Sequence, residues 1–148
     1  MPINNKIKGD LFKPFAEKEF DLMVHGCNCF HSFGKGFAAI VKHKYPQAYT
    51  ADKKTAKGSR AKLGTYSQAQ TEHGTIINLY SQYHYGFGTI NCDYSAIKKG
   101  FISLNEEYEN KSIAIPKIGA GLAGGDWEKI ESIINSVTPN LNITLFIV

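Results

Sequence analysis

The chain has 148 residues, 43% of them hydrophobic, and its 17 Lys and Arg against 13 Asp and Glu give a formal net charge of +4. These values predict one globular domain over residues 1–148 and exclude a disordered chain. No apolar run approaches the length of a membrane span and residues 1–10 do not resemble a signal peptide, so we expect no membrane partner. The mild positive charge suits a small polyanionic ligand but is too weak to indicate nucleic acid by itself.

Strands and helices are predicted to alternate along the chain, which is typical of a layered α/β domain. The predicted strands cover residues 3–8, 20–25, 63–67, 75–80, 112–118 and 143–148. The predicted helices cover residues 36–45, a short part of 47–62, 94–108 with Asp93 as its cap, and 126–137. Residues 12–19 are interpreted as a short connection and residues 81–92 as a ligand-sized loop.

Two glycine-rich stretches each follow a strand and precede a helix. They are residues 24–36, with Gly34 and Gly36 on either side of Lys35, and residues 115–127, with Gly119, Gly121, Gly124 and Gly125. Free N–H groups at helix N-termini and glycine loops that approach a ligand closely both favour anions. Two such loops at the carboxyl ends of strands therefore predict one crevice for one phosphate-bearing ligand.

Three polar residues beside these loops have a structural and a functional interpretation. Asn28 can bind ribose hydroxyls through its amide, or it can stabilise its own loop as an Asx turn. His25 ends an apolar strand and is either a satisfied structural group or a catalytic one. Asp126 can cap the last helix, and a carboxylate beside a phosphate loop can also activate water.

The cysteines and the basic residues are interpreted as packing groups and as a solvated loop, respectively. The residues His25, Cys27, Cys29 and His31 lie in a line along one strand, which cannot close a tetrahedron, so we expect no metal and interpret the two cysteines as packing groups. An odd count of three cysteines suits a reducing cytoplasm. The basic run at residues 53–62 is interpreted as a solvated loop, with a binding patch as the alternative.

The order of these motifs resembles the macrodomain family, and most of all the small bacterial, phage and yeast branch described as ADP-ribose 1″-phosphate phosphatases. The motifs that carry the resemblance are Gly9-Asp10, residues 24–29 (VHGCNC), residues 34–38 (GKGFA) and residues 115–127 (IPKIGAGLAGGDW). The resemblance implies a three-layer α/β/α sandwich with a mixed central sheet. It also implies that ADP-ribose binds in a cleft at the strand ends.

The resemblance implies a set of site residues. Asp10, followed by Leu11, would accept from the adenine amino group, Asn28 would contact the distal ribose, and an aromatic residue between Tyr83 and Phe87 would shield that ribose. His25 and Asp126 fall where the phosphatase branch has its His and Asp. The two loops that would wrap the diphosphate contribute Ser32, Gly34, Lys35 and Gly36, and Gly119, Ala120, Gly121, Leu122, Ala123 and Gly124.

The implied activity is hydrolysis of the terminal phosphate of ADP-ribose 1″-phosphate, with water activated by Asp126 or His25 and no metal or cofactor. A related branch removes ADP-ribose from glutamate or DNA thymine with a lysine near residue 82, whereas this chain has Ser-Gln-Tyr-His at 81–84. One alternative is a hydrolase that removes ADP-ribose from protein or nucleic acid, with modified nucleic acid as a possible substrate. The other alternative is an ADP-ribose-binding module without turnover. A second departure is Phe30-His31, where the family usually has a Gln-Gly-like pair. We expect a cytoplasmic monomer.

Overall fold

The computed structural model describes residues 3–85, 91–121 and 123–147. Within these residues six strands form one sheet in the order β1-β6-β5-β2-β4-β3. The strands are β1 (Ile3–Lys8), β2 (Leu22–Cys27), β3 (Tyr66–Gln70), β4 (Thr75–Tyr80), β5 (Ser112–Ile115) and β6 (Asn142–Ile147). The helices are α1 (Phe12–Ala16), α2 (Gly36–Lys44), α3 (Pro46–Lys53), α4 (Tyr94–Glu107) and α5 (Trp127–Val137), with a 3₁₀ turn at Arg60–Lys62.

The sheet is mixed, as expected. β3 pairs antiparallel with β4 through the turn at residues 71–74, and the other neighbouring strands pair in parallel. Their carboxyl ends therefore meet at one edge of the sheet.

Helices cover both faces of the sheet. The side chains of β2 alternate, so Leu22 and Val24 face one apolar cluster while Met23 and Cys27 face the other. The first cluster contains buried residues of α4 and α5, and the second contains buried residues of α1, α2 and α3. The result is the predicted three-layer α/β/α sandwich.

The path of the chain opens a crevice between β2 and β5. From β2 the chain runs through α2 and α3 to β3 at one edge of the sheet, and from β5 it runs through α5 to β6 on the other side. The two connections leave neighbouring strands in opposite directions, and ligands of open α/β sheets bind at such a switch point.

Two strands differ from their predicted bounds because pairing and hydrogen-bonding capacity override the local sequence pattern. β2 was predicted at residues 20–25 but continues to Cys27, since its ladder with β4 extends to the pair Cys27–Tyr80. β5 was predicted to reach residue 118 but ends at Ile115. The next residue, Pro116, has no N–H to donate to a ladder.

Two further differences lie between β1 and β4. β3 was predicted at residues 63–67 but begins at Tyr66, because a turn in which the Thr65 N–H donates to the Lys62 carbonyl precedes it. The predicted connection at residues 12–19 contains α1, whose Phe12 and Phe15 are buried. The predicted capping of α4 by Asp93 is confirmed.

Among the described residues, no helix is both long enough and apolar enough to span a bilayer.

Candidate functional site: a cavity between two glycine loops

A cavity of about 650 Å³ lies at the carboxyl ends of β2 and β5, within the size range of sites for small ligands. It brings together the two glycine stretches. The lining residues come from the end of β2 and the loop after it (His25, Gly26, Cys27, Asn28, Ser32, Gly34), from the start of α2 (Lys35, Gly36, Phe37, Ala38), from Gln82 and Tyr85, and from the loop after β5 (Pro116, Lys117, Ile118, Gly119, Gly121, Ala123).

The charge of the lining favours an anion. Lys35 and Lys117 contribute to it, whereas none of the described lining residues is an aspartate or a glutamate. The N-terminus of α2 opens onto the same cavity, and no side-chain cap is formed there by residues 3–85, 91–121 or 123–147. Its first N–H groups thus lack an intrahelical acceptor, and together with the helix dipole they form a site suited to phosphate.

The glycines of the loop after β5 fall into two kinds. Gly119 has φ +77°, and a Cβ there would lie 2.8 Å from the Sγ of Cys92; a Cβ on Gly125 would lie 2.6 Å from the Gly119 carbonyl oxygen. These two glycines are required by the packing of the loop itself. A Cβ on Gly121 would meet no atom of the described residues within 4 Å, and Gly121 lines the cavity, so its missing side chain leaves space for a ligand.

His25 lies at the cavity wall but is almost fully buried, with 1% of its surface exposed. Its Nε2 lies 2.7 Å from the Oδ1 of Asn78, its register partner on β4. The Asn78 amide nitrogen donates to the Ala48 carbonyl and the Ser67 hydroxyl, which fixes Oδ1 as the atom facing His25. We therefore assign the proton to Nε2, which leaves the lone pair on Nδ1.

Burial lowers the pKa of His25 to about 4, against a smaller opposing effect of the bond to Asn78. The imidazole is therefore neutral at physiological pH. A neutral imidazole with Nδ1 unprotonated can accept a hydrogen bond from water, but it is a weak base and cannot act as a general acid. The structural interpretation of His25 accounts for its hydrogen bonds, and its position at the wall is compatible with a role in orienting water.

Asn28 forms the Asx turn that was one of its two interpretations. Its Oδ1 accepts from the N–H groups of Phe30 and Ser32, at 2.9 and 3.3 Å, and its Nδ2 donates to the Ser32 carbonyl at 2.8 Å. His31, inside this turn, has φ +60°, in the left-handed region that glycine prefers. Its Nε2 bonds to the Thr55 carbonyl at 3.0 Å, which holds a non-glycine residue in that conformation. Contact between Asn28 and a ribose stays a prediction.

Asp126 caps α5, as its structural interpretation predicted. Its Oδ1 accepts from the N–H of Glu128 at 3.1 Å, and its own N–H donates to the Tyr94 hydroxyl. The side chain is exposed and does not line the described part of the cavity. His25 and Asp126 are thus not brought together around one point, and a catalytic role for either residue stays a prediction.

The remaining predicted ligand residues are divided between the cavity and its surroundings. Asp10 accepts from the N–H of Phe12, whose ring stacks on the cavity residue Phe37 at 4.9 Å, while Leu11 is buried in the core. Tyr83 lines a separate shallow groove, and of the predicted aromatic segment from Tyr83 to Phe87 the described residue at the cavity is Tyr85. Ala120 and Gly124 belong to the loop without lining the cavity, and Leu122 and Phe87 lie outside the described residues.

The cavity also contains residues that sequence reasoning did not select, among them Phe37, Gln82 and Lys117. Lys117 and Phe37 lie within the two motifs, so their position next to the glycines was an available signal. Gln82 lies in the predicted ligand-sized loop at residues 81–92, and the pairing of β4 beside β2 carries it to this edge.

The two expected packing cysteines are buried and unpaired. Burial raises the pKa of the Cys27 and Cys29 thiols, which keeps them protonated. Among the described residues, no group of three or more His, Cys, Asp or Glu side chains could hold a metal ion.

The fold is a mixed α/β/α sandwich, and the cavity at the switch point of its sheet is suited to an anion. These two features define the class of nucleotide-binding α/β domains. Comparison with known proteins narrows this class: residues 24–134 match the model of the Macro domain family, and the chain belongs to that family.

Three relatives span nearly the whole chain. It is 38% identical over 145 residues to an uncharacterised 17.5 kDa protein of phage T4, covering 94% of this chain and 92% of the relative. It is 26% identical over 155 residues to the ADP-ribose 1″-phosphate phosphatase of Candida albicans, covering 96% and 97%. It is 29% identical over 139 residues to the DNA ADP-ribosyl glycohydrolase of Mycobacterium tuberculosis, covering 90% of this chain but only 38% of that protein. Among solved structures, a Bacteroides thetaiotaomicron protein of unknown function superimposes with a TM-score of 0.83 at 25% identity, covering 97% of each chain.

Proposed function

We propose that the protein binds ADP-ribose in this cavity and hydrolyses the terminal phosphate of ADP-ribose 1″-phosphate. The observation that carries the proposal is the convergence of two anion sites on one cavity: the uncapped N-terminus of α2 and the loop at Gly119 and Gly121. A diphosphate spans such a pair of sites. The resemblance of the motifs and the similarity to the Candida albicans phosphatase support the choice of substrate.

The proposed ligand follows the line of the cavity. The adenine lies toward Phe37 and Asp10, the diphosphate lies between Lys35 and Gly121, and the distal ribose lies toward Asn28. Water attacks the terminal phosphorus while the bond between phosphorus and the 1″ oxygen breaks, and the products are inorganic phosphate and ADP-ribose, whose 1″ oxygen takes up a proton. Backbone N–H groups stabilise the charge that develops on the phosphoryl oxygens. In this proposal the base is Asp126, which follows the loop after β5, because the neutral His25 is too weak a base at physiological pH.

Binding is tested first, by thermal unfolding with ADP-ribose and with AMP. A ligand at a hundredfold excess over its Kd stabilises the native state by about 2.7 kcal/mol. ADP-ribose is expected to raise the melting temperature more than AMP, which lacks the second phosphate and the distal ribose. Absence of a shift at millimolar ADP-ribose contradicts the proposal at its first step.

Turnover is tested by phosphate release from ADP-ribose 1″-phosphate, with Asp126→Asn as the matched variant. Asn caps a helix about as well as Asp but cannot take a proton, so the melting temperature stays and the rate falls by about a hundredfold or more. Full activity of Asp126→Asn assigns the base elsewhere. Binding of ADP-ribose by a parent protein that releases no phosphate supports the binding module without turnover.

A second candidate is removal of ADP-ribose from nucleic acid. The similarity to the Mycobacterium tuberculosis glycohydrolase over 90% of this chain favours it, whereas the absence of a lysine at residues 81–84 argues against a lysine-dependent mechanism. Release of ADP-ribose from a modified oligonucleotide, without phosphate release from the first substrate, would favour this candidate.

A further inference from the structure

Beside the cavity lies a surface that the proposed function does not use. We propose that this surface binds single-stranded nucleic acid, with phosphates on its basic part and bases on its aromatic part. We call it the aromatic–basic surface, and it consists of Phe30, Lys54, Lys57, Arg60, Tyr83 and His84. The inference goes beyond the proposed function, because it requires neither ADP-ribose binding nor turnover.

The aromatic part is a stack of rings. Phe30 and His84 lie parallel, with centroids 5.0 Å apart and an angle of 5° between their planes, and Tyr83 packs edge-on against both. His84 is exposed, so one face of a stacked ring system is open to solvent. Nucleobases stack on such rings whatever their sequence.

The basic part is joined rigidly to the rings. The guanidinium carbon of Arg60 lies 3.9 Å from the centre of the Tyr83 ring, and the Tyr83 hydroxyl donates to the Gly58 carbonyl at 2.7 Å. Gly58 also donates to the Cys29 carbonyl at 2.6 Å, which fixes the segment against the residue before Phe30. The basic run at residues 53–62 is therefore part of a defined surface, whereas a freely solvated loop would lack these bonds.

The described residues of this surface carry a net positive charge. Residues 53–62 contain five basic residues and no acidic one. Lys54, Lys57 and Arg60 are exposed, and no ion pair engages them within residues 3–85, 91–121 and 123–147. The one acidic residue in the groove beside Arg60 is Asp93, whose Oδ1 caps α4 by accepting from Ala96.

The surface continues to the mouth of the cavity. The ring of Tyr85, which is 60% exposed and lines the cavity, lies 6.2 Å from that of Phe30. A strand that crosses the rings thus passes the open end of the cavity. Two exposed rings, two partly exposed rings and cations without an ion pair among the described residues match a polyanion that carries stackable groups. Single-stranded nucleic acid has both properties.

The test is fluorescence anisotropy of a labelled single-stranded oligonucleotide of about 12 nucleotides, within the range that one such surface covers. With three phosphate contacts, affinity should fall about 20-fold between 50 and 200 mM salt. The charge-reversal variant is Lys54→Glu/Lys57→Glu. The matched control is Lys18→Glu/Lys111→Glu, which makes the same change of charge in two exposed loops that lead into the amino ends of β2 and β5, opposite the cavity. We expect the first variant to lose at least tenfold in affinity beyond the control.

The contribution of stacking is tested with His84→Ala and with inorganic polyphosphate as competitor. Since the His84 side chain is exposed, its removal should preserve the melting temperature and weaken oligonucleotide binding about tenfold. The proposal would be overturned by equal losses of affinity in the two charge variants or by unchanged oligonucleotide binding in His84→Ala. It would also be overturned if polyphosphate competed as strongly as unlabelled oligonucleotide, or if the protein preferred anionic vesicles to the oligonucleotide. The ADP-ribose-induced melting shift, measured on the same variants, should persist, so failure of this surface and failure of the proposed function are told apart.

Discussion

Replacement of Gly121 by Val tests whether this glycine is required for ligand binding or for the stability of the fold. Within the part of the chain that the structure describes, a Cβ at Gly121 would meet no atom closer than 4 Å, and the Gly121 backbone lies outside the left-handed region. The substitution reduces backbone freedom in the unfolded state, which should raise the free energy of unfolding by roughly 0.4–1 kcal/mol. The melting temperature should then rise by a few degrees at most. The added side chain occupies the space that the proposed diphosphate needs.

The comparison variant is Gly119→Ala. Its Cβ would lie 2.8 Å from the Sγ of Cys92 at a φ of +77°. Left-handed strain of roughly 1–2 kcal/mol and overpacking of roughly 1–3 kcal/mol should destabilise the fold. For a chain of this size these losses correspond to a fall in melting temperature of about 5–15 °C.

The assay is thermal unfolding of both variants and the parent, with and without ADP-ribose. At a hundredfold excess over Kd the parent gains about 2.7 kcal/mol, and a tenfold weaker Kd halves this to about 1.4 kcal/mol. Gly121→Val should therefore keep the melting temperature of the free parent and lose half or more of the ligand-induced shift. A full shift in Gly121→Val would refute the reasoning that this loop holds the diphosphate.

Two further predictions concern residues at the cavity wall. Burial lowers the pKa of His25 from 6.5 to about 4. Between pH 6.5 and pH 4 the unfolded state therefore binds a proton at His25 and the folded state does not. The free energy of unfolding should accordingly fall by about 3 kcal/mol as the pH drops from 6.5 to 4. Urea titrations of the parent and His25→Gln at both ends of the window should show a smaller fall in the variant, and equal falls would contradict the assignment. Gly26→Ala places a Cβ 2.5 Å from the Ser81 Oγ and should lose roughly 1–3 kcal/mol. Ser81→Gly in the same chain should restore part of this loss, and purely additive losses would show that the two positions do not clash.

The sequence by itself determined the layered α/β class and the caps of α4 and α5. These features depend on local chemistry: the spacing of apolar residues, and carboxylates of Asp93 and Asp126 that reach the N–H groups of their own helices. The glycine stretches likewise indicated an anion crevice, since free N–H groups at a helix start are a property of the local chain.

Only the tertiary structure decided which residues share the crevice and in what state. The pairing of β2 with β4 brings Asn78 to His25, and the enclosing layers lower the pKa of that histidine. The same layers distinguish the packed Gly119 from the open Gly121, although both read as loop glycines in the sequence. The basic run at residues 53–62 gained its aromatic neighbours only when the loops at Phe30 and Tyr83 met it. Burial and neighbours depend on contacts between residues distant in sequence, and no local pattern encodes them.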